Sequence, residues 1–507
     1  MKNILEYLEA SVQAFPDKLA FMEPTRAVTY KHFASCARSI GTGLSVLERK
    51  NSPIAVLMAK GIDNLEAIMG TVYSGNFYVV IDPEMPLERM KSVFSSLCPA
   101  AIITDEENKD NALEISEGIP VMLCGELICT AEDKIFLSTV RSSMIDTDPL
   151  YCLFTSGSTG KPKGTVINHR NVMAYAEWVT EAFGINENTV FGNQTPFYFS
   201  MSVLDIYSTI KNGATLVIIP RQYFSFPLKL VQLMNEKNVN TIYWVPSAMC
   251  IVANMKLFDY IKPMYLKTIL FAGEVMPTKQ LNYWISSLPG VFYANLFGPT
   301  EVTDICTYYV VNRTFRDDEP LPIGRPCNNC DVMVINEDGT PAAPGEEGEL
   351  YVRGSFLSNG YYNNPEKTSE VFVQNPLNPY YPEMVYKTGD LVRYNELGEL
   401  MYLSRKDFQI KHMGYRIELG EIETAASSIG GIEAVVCTYD KAKDAIVLVY
   451  QGKKVDKLKI REQLKNSIPE YMMPSIIIQA ITMPYNANGK IDRSWIKNNY
   501  NKIEGDR

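Results

Sequence analysis

A chain of 507 residues is long enough to bury several hydrophobic cores and is expected to form more than one domain. Its apolar fraction of 46% and charged fraction of 21% are ordinary for a globular protein, and the net charge of −10 argues against a general nucleic-acid-binding surface. No apolar run reaches the roughly 18 residues of a membrane span. The N-terminus reads as an acidic amphipathic helix and not as a signal peptide, so a cytoplasmic location is expected.

Strand-like apolar runs alternate with helix-like stretches up to about Pro320. This alternation predicts α/β layers built on parallel strands. The clearest runs lie at 52–59, 76–83, 99–105, 119–124, 214–220, 240–246 and 266–273.

The pattern changes after Pro320, where turn signals at 337–339 and 344–345 separate short runs and predict a mostly β section. A last unit is predicted to begin near Arg405. Its expected elements are an amphipathic helix, a β-hairpin and a second helix with Asp456 as its N-cap. These predictions cover residues 419–428, 434–440 with 445–452, and 456–467.

The segment Leu153–Gly164, LFTSGSTGKPKG, combines hydroxyls, glycines and two lysines in one short loop after an apolar run. Glycines let a backbone approach a ligand closely, and successive free N–H groups form an anion-binding concavity. The loop is therefore predicted to bind phosphates, although its spacing is not that of a Walker A loop. The ten cysteines are expected to be reduced core residues, and with three histidines no His-based metal site is expected.

This loop resembles the phosphate-binding signature of the adenylate-forming (AMP-binding) enzymes, and further segments resemble their other signatures in the same order. The later motifs are closest to amino-acid-activating, nonribosomal-peptide-type adenylation domains. The segment Asn193–Tyr207 is similar to that of the stand-alone D-alanine–carrier-protein ligases. The further segments are FGPTE at 297–301, YKTGD at 386–390, DFQIKHMGYRIELGEIE at 407–423 and NANGKIDR at 486–493.

The resemblance implies an α/β fold with a large N-terminal domain, 1–404, made of α/β layers and a small β section. A small mobile α+β domain, 405–507, is expected to follow and to carry Lys490. The implied reaction joins a carboxylate to ATP in the presence of Mg²⁺, which gives an acyl adenylate and pyrophosphate, and then transfers the acyl group to a thiol. Two anions must approach each other, so charge neutralisation and alignment dominate the chemistry.

Residue roles follow from the same resemblance. Lys490, Thr300 and Glu301 are expected to be catalytic, and Glu301 is also the expected Mg²⁺ ligand. The ATP-binding candidates are Thr155, Ser156, Lys163, Gly273, Asn295, Phe297, Asp390 and Arg405. The candidates that line the substrate pocket are Ser200, Met201, Leu204, Tyr243, Leu270, Ala272, Leu296, Asp304 and Ile305.

The pattern departs from amino-acid-activating relatives at Ser200, where the family usually has an aspartate that pairs with the substrate ammonium. A new acid stands at Asp304, and three interpretations remain open. Asp304 could take over recognition of a displaced amine, as in a β- or ω-amino acid. The substrate could instead lack an amine, or an ordinary α-amino acid could be held differently.

The leading hypothesis is a ligase that loads a small carboxylic acid, expected to be an amino acid, onto a phosphopantetheinylated carrier protein. The chain ends soon after Arg493, so the carrier is expected to be a separate protein. The alternative is an acyl- or aryl-CoA synthetase. A non-catalytic adenylate-binding protein is disfavoured because Lys490, Glu301 and Asp390 are all present.

Overall fold

A computed structural model describes residues 2–157, 162–407, 409–453, 455–485 and 491–503. Lys490 and the tip of the predicted phosphate loop, 158–161, lie outside the described residues.

The strands are numbered in chain order. They are β1 Leu19–Met22, β2 Ala27–Thr29, β3 Pro53–Leu57, β4 Phe77–Ile81, β5 Ala101–Thr104, β6 Val121–Leu123, β7 Pro149–Thr155, β8 Lys163–Asn168, β9 Val190–Asn193, β10 Thr215–Ile218, β11 Thr241–Trp244, β12 Thr268–Phe271, β13 Phe292–Phe297, β14 Thr307–Val310, β15 Arg325–Pro326, β16 Cys330–Ile335, β17 Gly348–Gly354, β18 Phe372–Gln374, β19 Met384–Tyr394, β20 Leu400–Arg405, β21 Gln409–His412, β22 Tyr415–Glu418, β23 Ile432–Asp440, β24 Ala445–Gly452 and β25 Ile476–Gln479.

The helices are numbered in the same way. They are α1 Leu5–Ala14, α2 Tyr30–Gly43, α3 Ile62–Tyr73, α4 Leu87–Leu97, α5 Lys109–Ile115, α6 Cys124–Ile128, α7 Lys134–Ser143, α8 His169–Phe183, α9 Ser202–Asn212, α10 Pro227–Glu236, α11 Pro246–Asn254, α12 Thr278–Ser287, α13 Pro365–Val371, α14 Leu419–Ser427, α15 Lys457–Lys465 and α16 Arg493–Asn499.

Two large sheets contain the predicted apolar runs. One has six strands in the order β6-β5-β3-β4-β7-β8, and the other has nine in the order β15-β14-β13-β12-β11-β9-β10-β1-β2. Their central strands pair in parallel. Strands such as β3 are buried at every position, which is why they read in the sequence as continuous apolar segments without alternation. Each of the seven predicted runs contains one of these strands, so those predictions are confirmed.

The section after Pro320 is a five-stranded antiparallel sheet, ordered β16-β17-β19-β18 with β20 paired to β19. The predicted change to β structure is therefore confirmed. Turns at Gly339 and Gly345, both with φ of 85°, lie between β16 and β17. Glycine adopts this left-handed conformation without the clash that a Cβ would cause.

Contacts divide the chain into two compact units, and the mixed α/β fold has a large N-terminal and a smaller C-terminal part. The first unit comprises residues 1–83, 97–153 and 164–404. The second comprises 84–96, 154–163 and 405–507. The second unit thus also includes most of α4 and the predicted phosphate loop, which sequence reasoning assigned to the N-terminal domain.

The second unit contains the predicted elements of the last segment. The strands β23 and β24 form the expected antiparallel hairpin, and β25 joins β24 in parallel. Asp456 caps α15, because its carboxylate accepts the backbone N–H of Lys459 at 2.8 Å. Arg89 on α4 forms a buried ion pair with Glu421 on α14. No helix among the described residues is long and apolar enough to cross a membrane.

Candidate active site

Most pocket candidates of the first unit lie at the carboxyl ends of neighbouring parallel strands. In the register of the nine-stranded sheet Tyr243 on β11 is opposite Leu270 on β12, and Phe271 is opposite Asn295 on β13. Ligands of open α/β sheets bind at this edge, because the loops that follow the strands meet there. The sequence-predicted residues around 243, 270 and 295 are therefore brought together by the sheet itself.

The loop after β12 approaches the segment around Met201 closely. Gly273 has φ of 91°, and a Cβ built there would lie 3.3 Å from the Met201 sulfur and 3.7 Å from a Val245 methyl. A side chain at 273 would be both strained and crowded. Gly273 therefore leaves a flat backbone surface beside Met201, which suits the family role of contacting the adenine.

The short turn Thr300–Val302 after β13 brings Thr300 to the substrate-recognition segment. The Thr300 hydroxyl lies 3.3 Å from the half-buried Ser200 hydroxyl, within hydrogen-bond distance. The structure thus joins a predicted catalytic residue to the position that replaces the usual amine-binding acid.

Glu301 is fully buried, and its carboxylate accepts a hydrogen bond from the Tyr361 hydroxyl at 2.6 Å. The Glu301 carbonyl also accepts the Ser358 N–H at 3.0 Å, which fixes the backbone. A carboxylate held in this way is a hard oxygen donor of the kind that Mg²⁺ prefers, so the residues present fit the expected ion.

A strained turn separates Glu301 from Asp304. Thr303 has φ of 72° and ψ of −57°, and the Asp304 N–H donates to the Val302 carbonyl at 2.8 Å. This is a γ-turn with positive φ, a rare and strained geometry. The Thr303 hydroxyl donates to the Phe356 carbonyl at 2.8 Å and helps to hold it. Strain of this kind concentrates at functional sites.

Asp304 is 2% exposed and is held by two tyrosines. One carboxylate oxygen accepts hydrogen bonds from the Tyr175 hydroxyl at 2.7 Å and the Tyr243 hydroxyl at 3.0 Å. Burial, and then the Asp304 charge, raises the pKa of both phenols well above the ordinary value, so both remain protonated donors. Tyr243 was predicted to line the pocket, and the structure shows that its hydroxyl is directed at Asp304.

The remaining pocket candidates form an apolar surround. Each is at most 2% exposed, which agrees with an apolar environment containing one acid. These residues are Leu204, Leu270, Ala272, Leu296 and Ile305.

The adenine and ribose candidates occupy two sheets. The Asn295 amide donates to the Pro322 carbonyl at 2.8 Å, and the Phe297 ring centroid lies 5.7 Å from that of Tyr402. Asp390 lies on β19 in the five-stranded sheet, is 1% exposed, and donates its N–H to the Thr388 hydroxyl at 3.0 Å. Gly389 beside it has φ of 74°, which orients this turn.

The second unit holds the phosphate-loop candidates and Arg405. The Ser156 hydroxyl donates to the Arg416 carbonyl at 2.7 Å and accepts the Glu418 N–H at 3.2 Å, so a phosphate would compete with β22 for this hydroxyl. The Thr155 hydroxyl is buried without a partner among the described residues, and Lys163 begins β8. Arg405 binds Asp407 through two hydrogen bonds of 2.8 and 2.6 Å.

Sequence reasoning missed the tyrosines that orient the two acids. Tyr175 is on the buried face of α8, and Tyr361 follows Gly360 in a loop. A buried tyrosine needs a partner for its hydroxyl, and this is the only signal that the sequence offered.

A buried Lys60–Asp205 pair beneath the recognition segment was also missed. The Lys60 ammonium nitrogen lies 3.2, 3.0 and 3.3 Å from the carbonyls of Asn193, Gln194 and Ile219. Burial lowers the pKa of Lys60 while the Asp205 charge opposes that shift, and burial raises the pKa of Asp205. Lys60 thus ties together the ends of β9 and β10 next to the pocket.

Comparisons with known proteins agree with this architecture. A model of the family described as AMP-binding enzyme matches residues 8–362. The D-alanine–D-alanyl carrier protein ligase of Bacillus cytotoxicus is 30% identical over 510 residues, which cover 97% of this chain and 98% of that protein.

A linear gramicidin synthase of Brevibacillus parabrevis has a polypeptide that is 32% identical over 500 residues, which cover 97% of this chain and 9% of the synthase polypeptide. The chain therefore spans about a tenth of that relative. Among solved structures, an artificially fused adenylation–PCP di-domain NRPS from Klebsiella oxytoca matches with a TM-score of 0.82 at 21% identity, over 94% of this chain and 93% of that one. At this identity the match shows the fold alone.

Proposed function

Because the chain belongs to the AMP-binding enzyme family, we propose that it is an ATP-dependent acid–thiol ligase that forms an acyl adenylate and releases pyrophosphate. The single observation that carries the proposal is the turn from Thr300 to Asp304. This turn places a hydroxyl, a buried carboxylate and a second buried carboxylate around the recognition segment.

The charges of this turn suit the adenylation step. Bound at Glu301, Mg²⁺ would neutralise phosphate charge as a carboxylate attacks. Tyr361 holds the Glu301 carboxylate in one orientation, and Thr300 is placed to donate to an α-phosphate oxygen. Lys490, which lies outside the described residues, is proposed to supply the positive charge that bridges the two anions.

We further propose that the substrate is a small amino acid whose ammonium lies near Asp304. The serine at 200 cannot neutralise an ammonium, whereas the buried carboxylate at 304 can. Two phenol hydroxyls satisfy hydrogen bonds of Asp304, but they do not cancel its charge. An ammonium displaced from the α position, as in a β- or ω-amino acid, would supply that charge.

The proposed acceptor is the phosphopantetheine thiol of a carrier protein. Support comes from the similarity to a D-alanine–D-alanyl carrier protein ligase over 98% of that protein's length. The test is to incubate the chain with ATP, Mg²⁺, a panel of small acids and either a holo carrier protein or CoA. Intact-mass measurement of the carrier then reports acylation.

Acylation of the carrier in preference to CoA is the expected result. The matched control is apo carrier protein, which lacks the thiol and should gain no mass. Efficient acylation of CoA without acylation of any carrier would instead identify a CoA synthetase.

A further inference from the structure

A cluster of His32, Cys36 and Glu66 lies away from the residues assigned above. The histidine and cysteine are on α2, and the glutamate is on the adjacent helix α3. One nitrogen, the sulfur and one carboxylate oxygen all lie within 4.8 Å of one another. The histidine is exposed, whereas the other two side chains are buried.

Close packing of the two helices creates the cluster. A Cβ on Gly41 would lie 2.6 Å from the Tyr73 Cβ, and one on Gly70 would lie 2.4 Å from an Ile40 methyl. The two glycines thus let the helix backbones approach, and the pairing shows that the helices run in the same direction. One turn earlier on each helix, the same close approach brings Cys36 and Glu66 together. His32 is four residues before Cys36, so both lie on one helix face.

The Glu66 carboxylate has no conventional partner. The residue is 0% exposed, and neither carboxylate oxygen accepts a hydrogen bond among the described residues. The nearby cation, Arg26, forms its salt bridge with Asp63 at 2.6 Å. An unpartnered buried carboxylate is costly, and this one is directed towards a thiol and an imidazole.

The distances match those of a tetrahedral zinc site. The Cys36 sulfur lies 3.6 Å from the His32 Nε2. Bonds of about 2.3 Å to sulfur and about 2.0–2.1 Å to nitrogen, at a tetrahedral angle, separate the two ligand atoms by about 3.6 Å. A small rotation of the Glu66 carboxylate would complete three protein ligands. The exposed side of His32 leaves an access path and room for a water molecule.

We propose that His32, Cys36 and Glu66 form a Zn²⁺-binding site that links α2 to α3. Thiolate, imidazole and carboxylate together suit Zn²⁺, whereas Mg²⁺ prefers an all-oxygen environment. Two anionic ligands would balance the charge of the ion. The site departs from the expectation that so few histidines would provide no metal ligand, because one helix face and one helix contact supply the set.

The test uses Co²⁺ as a spectroscopic substitute for Zn²⁺. Full-length reduced protein is stripped with a chelator, dialysed, and titrated with Co²⁺ in excess Mg²⁺, which occupies sites that prefer oxygen ligands. We expect one equivalent of Co²⁺ to produce a thiolate-to-cobalt charge-transfer band, and Zn²⁺ to displace it. A wild-type chain without this band would overturn the proposal.

Variants assign the ligands. Cys36→Ser should abolish the band, whereas Cys124→Ser, a neighbouring buried thiol that contacts the Asp63 carbonyl, should keep it. Glu66→Gln and His32→Gln should keep the band but weaken binding at least about 10-fold, since even outer-shell losses have effects of that size. A band that survives Cys36→Ser, or an unchanged affinity in Glu66→Gln, would contradict the assignment. The nearly isosteric Glu66→Gln decides the question if Cys36→Ser does not fold.

Discussion

At the scale of single residues, the four positions from Glu301 to Asp304 concentrate the unusual features of the first unit. Two fully or nearly fully buried carboxylates flank a strained γ-turn, and each carboxylate is oriented by tyrosine hydroxyls from other elements. Because an isolated buried charge is costly, this arrangement indicates that ligands complete the charge balance there.

Glu301→Gln should slow adenylate formation strongly. The amide keeps the size of the side chain but loses the charge that would hold Mg²⁺, and one transition-state contact is typically worth about 10²–10³ in rate. Tyr361→Phe removes only the orienting hydrogen bond and should have a smaller effect. Pyrophosphate-exchange rates of both variants at saturating ATP provide the measurement. Equal rates for Glu301→Gln and wild type would remove Glu301 from the mechanism.

Asp304→Asn should weaken selection of amine-bearing acids and leave the KM for ATP unchanged. Removing one partner of a buried ion pair often costs about 3–5 kcal/mol, whereas the nucleotide does not depend on this charge. Ser200→Asp should shift preference towards small α-amino acids. Competition between β-alanine, alanine and an aryl acid measures both effects. A preference for alanine that Asp304→Asn does not alter would refute the displaced-amine idea.

The sequence identified both acids from motifs but could not identify their partners. Tyr175 is about 130 positions from Asp304 along the chain, and only the folded packing of α8 against the sheet joins them. The γ-turn at Thr303 was also unpredictable, because threonine has no preference for positive φ. Local residue preferences contain no information about such tertiary contacts.

At the scale of secondary structure, the buried strands were predictable because strands covered on both faces must be continuously apolar. The ends of β9, β11, β12 and β13 then define the site without further signals. Sequence reasoning did not predict that α4 and the phosphate loop pack with the C-terminal segment. That grouping depends on contacts such as Arg89 with Glu421, which no local pattern reveals.

The start of α8 is predicted to make stability depend on pH. His169 is 1% exposed and its Nδ1 accepts the Ile4 N–H at 3.3 Å. Burial lowers its pKa to about 4, aided by Arg141 and opposed by Asp148. Since this pKa lies below the unfolded value of about 6.5, the unfolded chain binds the proton more readily between these values. Stability is therefore fully present above about pH 6.5 and is lost as the pH falls through 4, by about 3 kcal/mol in total.

His169→Gln should flatten this dependence, because the amide oxygen can still accept the Ile4 N–H but carries no titratable proton. Urea unfolding between pH 4 and 7 in the presence of a chelator provides the measurement. The exposed His32→Gln is the control and should retain the wild-type slope. A similar slope in wild type and His169→Gln would exclude His169 as the cause.

At the scale of the whole molecule, the proposed domains 1–404 and 405–507 place the two half-reactions on different parts of the chain. Lys490 belongs to the second part and is proposed to act in adenylation, whereas the segment around Gly414 is proposed to serve thiol transfer. One active site can use both only if the smaller domain changes its position between the steps. The proposed hinge lies near Asp407, whose carboxylate binds Arg405.

Lys490→Ala and Asp407→Pro should therefore affect different steps. The first should slow adenylation by about 10²–10³ with ATP binding retained, because one transition-state charge is lost. The second should impair thioester formation more than adenylation, because proline restricts the backbone. Asp407→Ala is the matched control, since it removes the Arg405 contact alone. Pyrophosphate exchange and carrier acylation, measured separately, distinguish the steps. Equal losses in both steps for Asp407→Pro would contradict the alternation.

The central claim is that this chain activates a small carboxylic acid as its adenylate, and acid-dependent exchange of labelled pyrophosphate into ATP tests it most directly. We predict exchange with at least one small amino acid of a panel that includes β- and ω-amino acids, D- and L-alanine, and aryl acids. We also predict that Glu301→Gln abolishes the signal. Absence of exchange with every acid, from folded protein in Mg²⁺ and ATP, would contradict the claim.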